Sequence, residues 1–104
     1  MKNIIVIAFM LFSAQTIAEQ LIGNAELGAR KIPSCQFCHG IKGEAIAPGY
    51  PNLSGQNQGY LYSSMQSYLL GQRQGDLSEM MKAQLSKLSQ QDLADIAAYY
   101  AQFK

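Results

Sequence analysis

The sequence is short of the residues that usually staple or anchor a small protein. Its 104 residues include no Trp, one His, two Cys and three Pro. So few cysteines exclude a disulfide-dense scaffold, and the length predicts a single domain. Charge is scarce as well. Eight Lys and Arg against seven Asp and Glu leave a formal +1, with no basic stripe or acidic tail. Binding to nucleic acid driven by phosphate neutralisation therefore has no footing. The longest apolar run, Ile4 to Phe12, falls well short of the roughly 20 residues that a membrane-spanning helix needs.

That run has a different reading. Met1-Lys2-Asn3 is a short basic start, and Ser13 to Ala18 is small and polar, with Thr16 and Ala18 at positions a signal peptidase accepts. Residues 1–18 read as a secretory signal peptide cleaved near Ala18, directing residues 19–104 to the periplasm. An uncleaved N-terminal anchor is the alternative. No Cys lies near the cut, so a lipid anchor is not expected. Loss of Lys2 makes the mature polypeptide formally neutral. A domain of this size buries only about 60–65% of its unfolded surface and commonly carries a staple.

Both cysteines and the single histidine fall within Cys35-Gln36-Phe37-Cys38-His39. A disulfide across two intervening residues closes so small a loop that it stabilises little. A structural zinc site needs four ligands, and adjacent Cys38 and His39 are poorly placed to share one tetrahedron. A thioredoxin-like redox pair follows a strand, and no alternating run precedes Cys35. Cys-x-x-Cys-His is the signature of covalent haem c attachment. Two thiols about one helical turn apart can add to the two vinyl groups on one porphyrin edge. The following His then faces the iron with a ring nitrogen. Thioether formation takes place in the exported compartment, in agreement with the signal peptide, and one motif predicts one haem. The haem is also the staple.

The remaining chain carries helical and loop signals only. Leu21 to Lys31 holds good helix formers, with Gly23 and Gly28 as exceptions, and Gly40 to Gln58 is a Gly- and Pro-containing loop. Gly59 to Leu70 places Leu61, Met65, Tyr68 and Leu69 on one face, with Gly71 as the C-terminal cap. Ser89 to Asp92 resembles a capping box, followed by an apolar stripe of Leu93, Ile96, Ala97, Tyr100 and Phe103. A short fourth helix is expected near Leu77 to Lys87. The fold class is all-α, with three main helices plus a short fourth wrapped around one covalently bound haem. The iron's sixth ligand would be a Met thioether, which raises the potential. Met65 belongs to an apolar stripe and reads as core, leaving Met80 or Met81, of which only one can ligate.

Cys35-Gln36-Phe37-Cys38-His39-Gly40, Pro51-Asn52-Leu53-Ser54-Gly55-Gln56 with Tyr60, Gly71-Gln72-Arg73, Met80-Met81 and LSQQDLADIAAYYAQF together resemble a class I cytochrome c. The resemblance is to the small bacterial type seen in each half of dihaem cytochrome c4 and in cytochrome c553-like proteins, and it covers Gly23 to Phe103. It implies His39 as the proximal ligand, supported by the Pro51 carbonyl, and Met81 as the sixth. It also implies that Gly28 lies where the first helix crosses the last, near Tyr99 or Tyr100. Gln56, Tyr60 and Arg73 occupy positions suited to hydrogen-bonding the haem propionates.

A haem with both axial positions filled by His39 and Met81 has no open site for substrate. The expected function is that of a one-electron carrier, not an enzyme, serving redox partners such as a terminal oxidase or a periplasmic oxidoreductase. Such a carrier is expected as a monomer or weak dimer that meets the membrane only through its partners. The alternative is a haem c subunit of a larger oxidoreductase, such as a flavoprotein or sulfur-compound dehydrogenase. A ligand-binding sensor or peroxidase-like protein would need the Met ligand absent or labile.

Overall fold

The computed structural model describes residues 21–104 together with Ala8, Met10, Leu11 and Ser13. The predicted signal peptide otherwise lies outside the described residues. All regular structure among the described residues is helical: α1 (Ala25–Ala29), α2 (Gln36–His39), α3 (Gln58–Leu69), α4 (Ser78–Leu85) and α5 (Gln90–Ala101). None of these helices is long and apolar enough to cross a membrane.

α1 is shorter than the composition of Leu21 to Lys31 suggests, for reasons at both ends. The Asn24 side chain accepts from the Leu27 N–H at 3.0 Å and caps the helix there, while the Asn24 N–H donates to Asp95 Oδ1 at 2.9 Å. That backbone group is committed elsewhere, so helix cannot extend toward Leu21. At the other end Pro33 disfavours helical geometry at Ile32, which is buried instead.

α3 and α5 follow their sequence signals closely. α3 ends in a Schellman arrangement: Gly71, at φ +70°, donates to the Tyr68 carbonyl and Gln72 to the Ser67 carbonyl. At α5 the capping box is complete, with the Ser89 side chain accepting from Asp92 N and the Asp92 carboxylate accepting from Ser89 N. Every residue of α5 from Leu93 to Tyr100 is buried, so this helix is the axis of the core rather than a surface helix. Leu61 and Met65 of α3, Leu85 of α4 and Ile32 pack around it. Met65 is thus a core residue, as its place on the stripe predicts.

α1 crosses α5 at its one glycine, Gly28. A Cβ at Gly28 would clash with the Asp95 carbonyl and lie 2.9 Å from the Tyr99 Cβ. The crossing point is therefore at Asp95 and Tyr99. Gly23 makes the same kind of approach to the Ala94 carbonyl.

Candidate functional site

The five-residue motif forms a single helical turn. His39 N–H donates to the Cys35 carbonyl at 2.9 Å and Cys38 N–H to the same carbonyl at 3.2 Å, which puts the thiols of Cys35, the N-cap residue, and Cys38, in α2, about one turn apart. Both cysteines are free and partly exposed. Cys35 packs against the core, and that burial pushes its thiol pKa up. Phe37, between them, is 79% exposed.

His39 is buried, with Nδ1 2.9 Å from the Pro51 carbonyl oxygen and its ring edge-on to Tyr50 at 6.5 Å between centroids. A carbonyl only accepts, so Nδ1 carries the proton and the lone pair of the neutral ring is on Nε2. Nε2 has no hydrogen-bond partner among the described residues. Gly40 follows at φ +79°, where a Cβ would clash with the Glu44 carbonyl. The chain can reverse directly after His39 only because that side chain is missing.

The loop that carries Pro51 is held in place by backbone bonds. The Gly43 carbonyl accepts from Leu53 N–H at 2.6 Å and Ser54 N–H at 3.2 Å, and Asn52 Oδ1 accepts from Ala45 N–H at 2.7 Å. Gly55 N–H donates to the Tyr100 carbonyl at 3.0 Å. From α5, the Tyr99 hydroxyl donates to the Ile41 carbonyl at 2.6 Å and the Tyr100 hydroxyl to the Gly40 carbonyl at 3.3 Å. Burial raises the Tyr100 hydroxyl pKa far above the usual tyrosine range, so it remains a donor.

Met81 lies on α4 and packs against the core, whereas adjacent Met80 is 44% exposed. Tyr60 and Arg73 share one groove of about 290 Å³ with Ser63, Ser64, Ser67 and Gln72. The Arg73 guanidinium sits 4.9 Å above the Tyr68 ring. Gln56 is not part of that groove; it is exposed, and its Oε1 accepts from Asn57 N–H at 3.3 Å.

One cluster has no counterpart in the sequence reading. Asp95, fully buried, accepts from Asn24 N–H, from Lys31 Nζ at 2.6 Å and from Gln91 Nε2 at 2.9 Å. Lys31 also pairs with Asp92 at 2.7 Å. Desolvation pushes the Asp95 carboxyl pKa up. The Lys31, Asn24 and Gln91 hydrogen bonds outweigh it and leave the pKa below the ordinary value. Lys31 is held above its own ordinary value by Asp92 and Asp95. The one available signal was a lone Asp inside the otherwise apolar Leu93 to Tyr100 stretch.

Among the described residues, no three His, Cys, Asp or Glu side chains gather as a metal cluster. The set fits haem c instead: two free thiols one turn apart, a buried imidazole oriented through Nδ1, and a thioether packed on the core from another helix. The family described as Cytochrome c matches residues 25–104. Over 79 residues the chain is 48% identical to cytochrome c-554(548) of Halomonas halodenitrificans, covering 76% of this chain and 95% of that protein. It is 38% identical to cytochrome c4 of Pseudomonas aeruginosa over 102 residues, covering 98% of this chain and 49% of that one. Reduced recombinant cytochrome c4 from Pseudomonas stutzeri superimposes with a TM-score of 0.70 at 39% identity, over 79% of this chain and 46% of that structure. The chain spans about half the length of the cytochromes c4 it matches. Sequence and fold agree that this chain belongs to the cytochrome c family, as a class I c-type cytochrome built like one cytochrome c4 domain, an electron carrier holding haem c through Cys35 and Cys38.

Proposed function

We propose that residues 1–18 direct export and that the domain over residues 19–104 works in the periplasm as a freely diffusing carrier of single electrons. In this reading His39 Nε2 and Met81 Sδ would hold the haem iron. Haem c supplies the Fe(III)/Fe(II) couple. The carrying observation is the 2.9 Å bond from His39 Nδ1 to the Pro51 carbonyl, which fixes the tautomer and turns Nε2 away from that loop. Such a bond orients a ligating imidazole and increases its basicity. Met81 is the thioether packed inward, and Met80 faces solvent. Tyr60 and Arg73, which share a groove, serve the propionates together with Gln56.

With His39 and Met81 both holding the iron, no open position would remain for substrate. Donor and acceptor, such as a periplasmic oxidoreductase and a terminal oxidase, dock briefly on a small interface. The nearly neutral chain offers them little electrostatic steering. Exposed Phe37, Ile41 and Ile46, in or just beyond the attachment motif, supply apolar contact. The protein works as a monomer or weak dimer. Met81→Ala is expected to abolish the weak near-infrared band of a Met-ligated ferric haem while leaving the covalent haem content unchanged. Loss of the band in Met80→Ala, with its retention in Met81→Ala, would assign the ligand to Met80.

A further inference from the structure

α5 holds two segments that follow His39, the turn at Gly40–Ile41 and the loop that carries Pro51. Its Tyr99 and Tyr100 hydroxyls bond the carbonyls of Ile41 and Gly40, which follow His39 directly. Its Tyr100 carbonyl accepts from Gly55 N–H, in the loop whose Pro51 carbonyl takes the His39 Nδ1 proton. The same loop is tied back to Gly43 by the Leu53 and Ser54 N–H groups. The Nδ1 to Pro51 distance is therefore set by two strands of loop, both held on one helix. Tyr99 and Tyr100 stack edge-on at 5.0 Å, and Tyr99 stacks in the same way on Phe103, so neither ring can swing independently.

We propose that Tyr99 and Tyr100 are positioning residues for the proximal ligand, whose hydroxyls hold Gly40 and Ile41 so that His39 keeps a short bond to Pro51, and that they thereby set the reduction potential. This rests on His39 being the axial ligand. The hydroxyls touch no reacting atom and act through the backbone on the strength of one hydrogen bond. A strong Nδ1–H to carbonyl bond makes the imidazole a better donor to the oxidised metal. Loosening it favours the reduced state and raises the potential.

The test uses the haem-loaded protein in four forms: wild type, Tyr99→Phe, Tyr100→Phe and the double variant. Phe preserves the ring packing and removes only the hydroxyl. Tyr62→Phe is the structural comparison, because its hydroxyl donates to Gln90 Oε1 at 2.9 Å between α3 and α5 and bonds neither Gly40–Ile41 nor the Pro51 loop. The double variant is expected to show a more positive potential. Its hyperfine-shifted His39 Nδ1 proton should exchange with solvent about five-fold faster, the effect of weakening one ordinary hydrogen bond. Tyr62→Phe should lower the melting temperature and move neither. If the double variant does not mature, Tyr99→Phe alone decides, since it removes the 2.6 Å bond. Wild-type potential and wild-type proton exchange in the Tyr99 and Tyr100 variants, with only the melting temperature lowered, would overturn the proposal. Failure of the underlying ligand assignment is seen separately, as the absence of hyperfine-shifted His39 ring signals in the wild type.

Discussion

The crossing of α1 with α5 and the packing of α4 on α3 hold the two proposed axial ligands by different means. At the crossing, Gly23 and Gly28 let backbones touch, and buried Asp95 gathers a backbone N–H, an amide and an ammonium group. α5 then carries Tyr99 and Tyr100 to the residues after His39. α4 has none of this. Its N-cap residue Leu77 offers no side-chain cap, and the helix buries Leu85 alone and packs chiefly on α3. The difference teaches that the polypeptide pre-orients His39, whereas Met81 sits on a helix with fewer ties, whose position would depend on the bond proposed for its sulfur.

The largest effect tests how far each region depends on haem. A Cys35→Ala/Cys38→Ala protein cannot form the thioethers, and it is expected to lose its cooperative thermal transition altogether. A domain this small has only about 5–15 kcal/mol of net stability, the difference between much larger opposing quantities. Removing the apolar bulk and covalent ties of haem leaves α4 little besides α3 to pack on. Circular dichroism should show residual helix without a sharp melt, and amide exchange should leave what protection remains in α1 and α5. A sharp two-state melt, or protection in α4 equal to that in α5, would break the comparison.

Asp95→Ala attacks the other side. Lys31 retains Asp92, so no charge is stranded, but Asn24 N–H and Gln91 lose a buried acceptor. The cost should be about 2–3 kcal/mol, read as a lowered melting temperature. The pH dependence has a definite sign. Asp95 titrates below its ordinary value of 3.8 when folded, so its stabilisation is complete above that pH and is lost as pH falls through the lower folded value. The variant should therefore show a shallower loss of stability below about pH 4 than the wild type. Lys31, raised above 10.5, gives the mirror case: its contribution is complete below that pH and disappears as pH rises through the folded value.

The same contrast explains what was legible in the sequence. Cys35 to His39 could be read because haem attachment needs those residue types in one turn, and α3 and α5 because periodicity and caps are local signals. No local signal separates Met81 from Met80 in the sequence; only a resemblance did. The role of Asp95 was out of reach: its place in an apolar stretch hints at burial, but its partners Asn24 and Lys31 are 71 and 64 positions away. The shortened α1 has the same origin, since the Asn24 N–H that would extend it is bonded to Asp95. Tyr99 and Tyr100 were legible as apolar mass, but the destinations of their hydroxyls depend on how the loop after His39 is folded.

The smallest effect separates the two regions at the level of one serine each. Ser89 caps α5 reciprocally with Asp92, and α5 is the axis on which α1, α3 and the His39 loops rest. Ser78 stands at the start of α4, where its hydroxyl donates to the Gly75 carbonyl at an exposed position. Ser89→Ala should cost about 1 kcal/mol, the usual value of an N-cap. Because the loss falls on the common axis, it should appear as a lower global melting temperature with every probe moving together. Ser78→Ala removes a bond that water replaces, so the global melt should shift by less than about 0.5 kcal/mol. Its effect should instead be confined to faster amide exchange in the first turn of α4, without any change in exchange at α5. Equal global costs for the two serines would mean that α4 is as firmly coupled to the core as α5, and that Met81 is pre-oriented by the polypeptide as His39 is.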